Sequence, residues 1–127
     1  MATDLLRPGE RLDDLVIGGL KIIQHPGQFR FALDAVLLAR FATLKPGAAV
    51  VDLGARTGVL GLLLAARGAG RVTGIELNPV MADMARRSIS VNGLGDTLSV
   101  VAGDVREAGR GLLAAGAWDL EVANPPY

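Results

Sequence analysis

Short apolar runs alternate with longer amphipathic stretches throughout the second half of the chain. The runs are rich in Val, Leu and Ile, which is typical of buried strands. The predicted strands cover 48–53, 71–76, 98–102 and 118–123, and the predicted helices cover 59–67, 79–91 and 105–115. The helix at 79–91 has the clearest start, because Asn78 is a favoured N-cap and Pro79 a favoured first residue. This alternation predicts an α/β fold with a parallel sheet and helices on both faces.

The first part of the chain has a different pattern. Residues 16–23 contain two short apolar runs around a Gly-Gly pair, which predicts a β-hairpin. Asp34 precedes an apolar stretch at 35–42 and is predicted to cap a helix there. We therefore expect an N-terminal extension at 1–47, made of a hairpin and a helix, followed by the parallel α/β unit at 48–127.

Composition and charge exclude several classes of protein. The chain has 127 residues, of which half are hydrophobic, and no apolar run approaches the eighteen or so residues that span a bilayer. No membrane segment is expected, and a cytoplasmic protein is the default. The absence of cysteine and the single His25 argue against a zinc site, a cysteine nucleophile and any His-rich metal centre. Thirteen basic and thirteen acidic groups argue against a broad nucleic-acid surface, although 11 of the basic groups are arginines suited to phosphate contacts.

Acidic residues and glycines stand at the ends of three consecutive predicted strands. Asp52 lies near the end of the first strand and Gly54 directly follows it, Glu76 ends the second, and Asp104 follows the third. Ligands of parallel α/β sheets bind at the carboxyl ends of the strands, so this set predicts a nucleoside site. The acids could instead only cap the following helices. A dinucleotide site is less consistent with the sequence, because the glycines that begin at Gly54 are spaced G-x-x-x-G-x-x-G rather than G-x-G-x-x-G.

The last predicted strand leads into Asn124-Pro125-Pro126-Tyr127. The Asn124 side-chain oxygen and the Pro125 carbonyl, held side by side, can each accept a hydrogen from one planar amino group, while the Tyr127 ring covers the group that carries it. Two fixed acceptors make such a nitrogen more nucleophilic, because they act where charge develops in the transition state. The alternative is a proline-stiffened turn without a chemical role.

With these motifs the chain resembles the class I S-adenosylmethionine-dependent methyltransferases that carry an Asn-Pro-Pro-Tyr motif. More narrowly, it resembles the bacterial tRNA(Val) adenine methyltransferases. The class motifs are Asp52-Leu53-Gly54 with Gly58, Glu76, Asp104 and 124–127, and the narrower family is matched by 19–26, 29–39, 84–88 and 91–94. The match at the N-terminus distinguishes this family from the protein-glutamine methyltransferases, which share the final motif.

The resemblance implies a Rossmann-like fold, S-adenosylmethionine as cofactor and an adenine of a tRNA anticodon loop as substrate. Residues 48–127 would be the N-terminal half of the cofactor-binding domain. The implied cofactor-binding residues are Asp34, Asp52, Gly54, Gly58, Glu76 and Asp104, with Glu76 on the ribose, Asp104 on the adenine, and Asp52, Gly54 and Gly58 around the methionine. Asn124 and Pro125 would bind the target amine and Tyr127 would stack on the target base, for an in-line methyl transfer without a metal.

Three features depart from the family. Arg56 stands where the family has a glycine, so we expect it to impair cofactor binding, unless its side chain swings out or pairs with the cofactor carboxylate. Glu121 stands in the last strand where relatives have an apolar residue, which is tolerable only at an exposed edge. Family members continue past the Asn-Pro-Pro-Tyr motif, so we expect a truncated chain whose last strand has an open edge and favours self-association.

Two alternatives to tRNA methylation follow from the same residues. The paired acceptors of the final motif serve any planar amine, so a glutamine amide of a protein is a possible substrate. The departures at Arg56 and Glu121, together with the missing strands, would also be consistent with a degenerate module that binds RNA or protein without catalysis.

Overall fold

The computed structural model describes residues 5–15, 19–25, 37–40, 42–104 and 118–123. Residues 37–40 are helical, within the helix predicted at 35–42. The helix predicted at 105–115 lies outside the described residues. In chain order the elements are β1 (Arg11–Asp14), β2 (Lys21–Gln24), β3 (Ala49–Leu53), α1 (Val59–Ala66), β4 (Arg71–Glu76), α2 (Pro79–Val91), β5 (Leu98–Ala102) and β6 (Leu120–Ala123).

The four strands after residue 48 form one parallel sheet in the order β5-β4-β3-β6. The predicted α/β fold is confirmed, and α1 and α2 both pack against β4 and β5. Strands β3, β4 and β5 follow one another across the sheet, whereas β6 lies on the other side of β3. The strand order therefore reverses beside β3, and the carboxyl ends of strands at such a reversal form the usual ligand crevice.

Helix α1 is almost entirely apolar, and six of its eight residues are buried. A Cβ atom at Gly61 would lie 2.9 Å from the Leu98 side chain, so this glycine lets α1 approach β5 closely. Helix α2 begins as predicted, because the Asn78 side chain accepts hydrogen bonds from the backbone N–H groups of Val80 (2.9 Å) and Met81 (3.4 Å). Together α1 and α2 cover the core and fix the turns that precede them.

The second strand of the predicted hairpin is confirmed, whereas its first strand, at 16–17, lies outside the described residues. β2 covers 21–24, but its antiparallel partner is β1 at 11–14, with Arg11 opposite Gln24 and Asp14 opposite Lys21. The sequence of β1 is Arg-Leu-Asp-Asp, and the strand is not buried, so it lacks the apolar pattern by which strands are identified. Gly18 of the predicted turn also lies outside the described part of the chain.

The hairpin is attached to α2 through hydrogen bonds between side chains of the helix region and backbone groups of β2, which a neighbouring strand would otherwise bind. The Ser88 hydroxyl accepts a hydrogen bond from the N–H of Ile23 (2.9 Å). Asn92 accepts one from the N–H of Lys21 (2.8 Å) and donates one to its carbonyl (2.7 Å). These contacts give a structural reason for the Ser88 and Asn92 positions in the family-like segments.

A second attachment joins the start of the hairpin to the same helix through charged groups. Arg87 binds both carboxylate oxygens of Glu10, one of them at 2.7 Å, and donates to the Leu5 carbonyl (2.8 Å). The side chains of Arg87 and Glu10 are only 11% and 5% exposed. The paired guanidinium lowers the pKa of Glu10, and the carboxylate raises the pKa of Arg87. The division of the chain at residue 47 stays a prediction.

We predict that Arg87→Met lowers the free energy of unfolding by about 3 kcal/mol at pH 7, because it leaves the Glu10 carboxylate buried without its cation. Since the folded pKa of Glu10 is lowered, its contribution is present above pH 4.5 and is lost as the pH falls through the folded pKa. The difference between parent and variant should therefore shrink in acid. Urea unfolding at pH 7 and pH 3.5 measures both effects.

Arg7→Met is the matched control, because the Arg7–Asp83 pair (3.0 Å) is exposed, with 63% of the Arg7 side chain accessible. It should cost less than about 1 kcal/mol. Equal losses in the two variants would contradict the prediction that the buried pair holds the hairpin.

Strand β6 is held in register at its start by two side chains. The Asp119 carboxylate accepts a hydrogen bond from the N–H of Ala49 (2.8 Å), and the Arg71 guanidinium lies 4.6 Å above the centre of the Trp118 ring. Glu121 pairs with Val51 in the sheet register, and its side chain is exposed. The alternative of a buried carboxylate at Glu121 is therefore wrong, because β6 is an edge strand of the described sheet. Self-association along that edge stays a prediction.

Candidate functional site at the carboxyl ends of the parallel strands

The turns after β3, β4 and β5 lie together at one edge of the sheet. Both Gly54 and Ala55 donate backbone hydrogen bonds to the Ile75 carbonyl (2.9 Å each), so the turn after β3 lies against the end of β4. Gly103 donates one to the Glu76 carbonyl (2.9 Å), which places the end of β5 beside β4 as well. The strand ends that carry the predicted acidic residues therefore converge, as their spacing in the sequence implied.

The two glycines of the turn after β3 have different structural roles. Gly54 has a φ of +78°, and a Cβ atom added to it would meet nothing within 4 Å, so this position faces open space. Gly58 has a φ of +92°, and its Cβ would lie 3.2 Å from that of Ala85 in α2. The open space at Gly54 leaves room for a ligand, whereas Gly58 permits the close contact between the start of α1 and α2.

Glu76 is held in place by the backbone around it. The residue is only 7% exposed, and Oε1 of its carboxylate accepts a hydrogen bond from the N–H of Arg56 (2.6 Å). Oε2 accepts one from the N–H of Asn78 (2.8 Å). Each carboxylate oxygen keeps a further lone pair, so Glu76 can still accept hydrogen bonds from a ligand such as a sugar diol.

Asp52 is the most unusual polar residue of the crevice. It is 1% exposed, and neither carboxyl oxygen has a hydrogen-bond partner in the part of the chain that the structure describes. Burial, together with the nearby Glu76 charge, raises the pKa of Asp52 from its ordinary 3.8 to about 7, although the Arg56 charge opposes both effects. Buried carboxyl groups nearly always have partners, so Asp52 is the residue here that most needs one from a ligand.

Arg56 interacts with both of these acidic residues, since its N–H binds Glu76 and its charge acts on Asp52. It has a φ of +54°, which makes it the non-glycine residue of positive φ within the described ranges. The residue is half-buried, and its guanidinium atom Nη2 is inaccessible to solvent. An Arg56 side chain that swings out into solvent, one of the expected alternatives, does not match this placement.

Other predicted site residues are only partly accounted for. Asp104 follows β5 and is half-buried at the same edge of the sheet. Asp34, Asn124, Pro125 and Tyr127 lie outside the described residues, so their assigned roles stay predictions. β6 ends at Ala123, which pairs with Leu53 immediately before the Gly54 turn.

Sequence reasoning missed Gly74 in the middle of β4. A Cβ atom there would lie 2.7 Å from the Ala55 Cβ and 3.2 Å from the Val100 side chain. Gly74 therefore lets the turn after β3 rest directly on β4. A glycine inside a predicted strand indicates a close approach of this kind, and that signal could have identified it.

Two classes of site find no support among the described residues. In the described ranges, no three His, Cys, Asp or Glu side chains are grouped so that they could hold a metal ion. No helix in those ranges is both long enough and apolar enough to cross a membrane.

Comparison with known proteins connects this crevice to one chemistry. The family model described as a methyltransferase domain matches residues 50–124. A tRNA1(Val) (adenine(37)-N6)-methyltransferase of Shewanella amazonensis is 37% identical over 94 residues, which are 74% of this chain and 40% of that protein. A proposed protein N5-glutamine methyltransferase of Methanocaldococcus jannaschii is 27% identical over 111 residues, which are 87% of this chain and 53% of that protein.

A solved structure shows the same fold in a larger protein. A Thermus thermophilus 16S rRNA methyltransferase in complex with AdoMet and guanosine superposes with a TM-score of 0.73 and 28% identity, over 93% of this chain and 33% of that one. The chain thus spans only about half, or less, of the length of these proteins. The parallel sheet, the open turn at Gly54 and the buried acids at the strand ends agree with the family match, and the chain belongs to the methyltransferase domain family.

Proposed function

We propose that this chain forms the cofactor-binding part of an S-adenosylmethionine-dependent methyltransferase that acts on the exocyclic amine of an adenine in tRNA. The observation that carries the proposal is the Asp52 carboxyl group, buried at the carboxyl end of β3 without a hydrogen-bond partner among the described residues. A ligand with a positively charged end would supply the missing partner. S-adenosylmethionine has such an end, since its methionine part carries an ammonium and a sulfonium group.

The remaining residues of the crevice fit the same ligand. Glu76 is fixed by two backbone hydrogen bonds and keeps lone pairs for the two ribose hydroxyls. The space in front of Gly54 would admit the methionine part close to the backbone. Asp104, which is half-buried beyond β5, would accept a hydrogen bond from the adenine amino group. The bound cofactor supplies an electrophilic methyl group, and these residues orient it.

The substrate assignment rests on the final motif and on the curated relatives. Asn124 and Pro125 follow β6 directly and would accept the hydrogens of the target amine, while Tyr127 would stack on its ring. The Shewanella amazonensis relative is named for methylation of an adenine in tRNA. An anticodon-loop base is already unpaired, so presenting it costs less than flipping a base from a duplex. We place this activity in the cytoplasm, where such a tRNA is found.

We predict that a protein containing this chain transfers labelled methyl groups from S-adenosylmethionine to unmodified tRNA, and that Asn124→Ala reduces transfer at least about a hundredfold. The reduction follows from the loss of one acceptor for the attacking amine. Cofactor affinity, measured by calorimetry, should change little, because Asn124 is assigned to the amine and not to the cofactor.

The chain as it stands is tested first, and a version extended to the length of the relatives is tested beside it. Transfer that is unaffected by Asn124→Ala would refute the assigned role of the motif. Cofactor binding without transfer to tRNA by either version would refute the substrate.

A second substrate class is favoured by the relative from Methanocaldococcus jannaschii, which is named for glutamine methylation and covers 87% of this chain. A glutamine amide presents the same planar amine to the same two acceptors. The same assay with a release-factor-like protein in place of tRNA distinguishes the two, and transfer only to the protein would make the amide the substrate.

A further inference from the structure

Arg56 occupies a position in the turn after β3 that is costly for an arginine. Its φ of +54° lies in the left-handed region, which non-glycine residues adopt at a cost of order 1 kcal/mol. The N–H of Arg56 donates a short hydrogen bond to Glu76 Oε1 (2.6 Å), which holds the turn in this conformation. The direction in which the side chain leaves the backbone is therefore set by a residue of the crevice itself.

The Arg56 side chain turns into the protein. The residue is half-buried, and Nη2 of its guanidinium is inaccessible to solvent. Its positive charge acts on the neighbouring Asp52, where it partly offsets the effects of burial and of the Glu76 charge on the carboxyl pKa. Arg56 thus brings a positive charge near Asp52, on a residue whose backbone N–H binds Glu76.

We propose that Arg56 competes internally with the positively charged end of the ligand for the acidic pair of Asp52 and Glu76. In the ligand-free chain the guanidinium charge partly compensates Asp52, and it has to move before a sulfonium-bearing ligand binds at the same place. This inference rests on the proposed cofactor and identifies the residue that limits its affinity. Two cations near the same carboxyl groups repel each other, and the repulsion is strong where water is excluded.

The geometry favours competition over the alternative in which Arg56 anchors the ligand's carboxylate. An anchor has to present its N–H groups to the ligand, whereas Nη2, one of the terminal nitrogens of Arg56, is inaccessible to solvent. Gly54, two residues earlier, is the position of this turn that faces open space.

The test compares two ligands that differ in one charge. S-adenosylmethionine carries a sulfonium, and S-adenosylhomocysteine carries a neutral thioether in its place. Both are titrated by calorimetry into the parent, into Arg56→Met, which keeps a long side chain without the charge, and into Arg56→Lys, which keeps the charge. All three residues have the same backbone restriction at positive φ, so the comparison isolates the charge.

Competition predicts that Arg56→Met binds S-adenosylmethionine about tenfold more tightly than the parent does. The gain for S-adenosylhomocysteine should be clearly smaller, so the ratio of the two affinities rises. Arg56→Lys should keep most of the parent's ratio. Weaker binding of both ligands by Arg56→Met would show that Arg56 anchors the carboxylate of the ligand. Unchanged affinities would show that Arg56 has only a structural role. Either outcome overturns the competition but leaves the proposed cofactor standing.

If neither ligand binds any of the folded variants, the proposed cofactor fails and the competition fails with it. The charge interaction between Arg56 and Asp52 has its own measurement in the ligand-free protein. Arg56→Met removes the charge that opposes the raised pKa of Asp52, so the fall in stability with rising pH should extend to a higher pH than in the parent. An identical pH profile in parent and variant would contradict this interaction.

Discussion

The ligand-free protein is expected to lose stability as the pH rises from about 4 to about 7, and Asp52→Asn is expected to abolish that loss. The pKa of Asp52 is about 7 in the folded chain and has its ordinary value of 3.8 in the unfolded chain. Between these values the unfolded state is ionised while the folded state holds the proton, so the stabilising contribution is present below pH 3.8 and is lost as the pH approaches 7. The shift corresponds to about 4 kcal/mol in total.

Asparagine at position 52 has nearly the same shape and no titration, so its stability should be almost constant over this range. Because Glu10 titrates below its ordinary 4.5, its stabilising contribution is nearly constant above pH 5, and the change in stability between pH 5 and pH 8 reports mainly on Asp52. Urea unfolding at four values in that window measures the slope. The control is Asp96→Asn, an exposed carboxylate in the loop after α2, which should keep the slope of the parent.

A ligand that brings a positive charge to Asp52 should reverse the effect, because it favours the ionised carboxylate. Saturating S-adenosylmethionine is therefore expected to stabilise the parent more at pH 8 than at pH 5. Equal slopes for the parent and for Asp52→Asn would refute the buried, proton-binding carboxyl group. Equal stabilisation at both pH values would refute the contact between Asp52 and the charged end of the ligand.

The second large effect is expected from Gly74→Ala, which should lower the free energy of unfolding by about 1 to 3 kcal/mol and weaken ligand binding. The added Cβ would lie 2.7 Å from the Cβ of Ala55, so the turn after β3 has to move away from β4. That movement would disturb the hydrogen bonds from Gly54 and Ala55 to the Ile75 carbonyl. Asp52 and the open space at Gly54 depend on the same turn.

Gly95→Ala is the matched control, because a Cβ at Gly95 meets nothing within 4 Å. It should change the stability by less than about 0.5 kcal/mol and leave ligand affinity unchanged. Chemical unfolding and calorimetry of both variants supply the comparison. A Gly74→Ala protein as stable as Gly95→Ala would show that the sheet accommodates the extra carbon without displacing the turn.

Several elements were predictable because local interactions specify them. The cap of α2 was correct since Asn78 and Pro79 act within a single turn of the chain. The strands at 49–53, 71–76 and 98–102 were correct because buried parallel strands carry continuous apolar runs. β1 was not identified, because it pairs only with β2 and has no buried residue, so its stability comes from β2 and from the attachment of the hairpin to α2 rather than from an apolar pattern.

The candidate site divides in the same way. The acidic residues at 52, 76 and 104 were predictable as a group, because parallel strands bring their carboxyl ends to the same edge. The hydrogen-bond partners of each acidic residue were not predictable. Glu76 finds two backbone donors, and Asp52 finds none among the described residues, since their partners come from segments brought together by packing.

By itself, the sequence determined the order of strands and helices, the parallel sheet with its ligand crevice and the family to which the chain belongs. Hydrophobic periodicity, helix caps and short motifs involve residues close in sequence, so they can be identified without a structure. Only the tertiary structure decided that β1 is the partner of β2, that Glu121 lies exposed on an edge, and that Arg56 turns inward beside a buried Asp52. These outcomes depend on the burial of side chains and on charge interactions between segments that are distant in sequence. Such interactions arise only when the strands and helices are packed together.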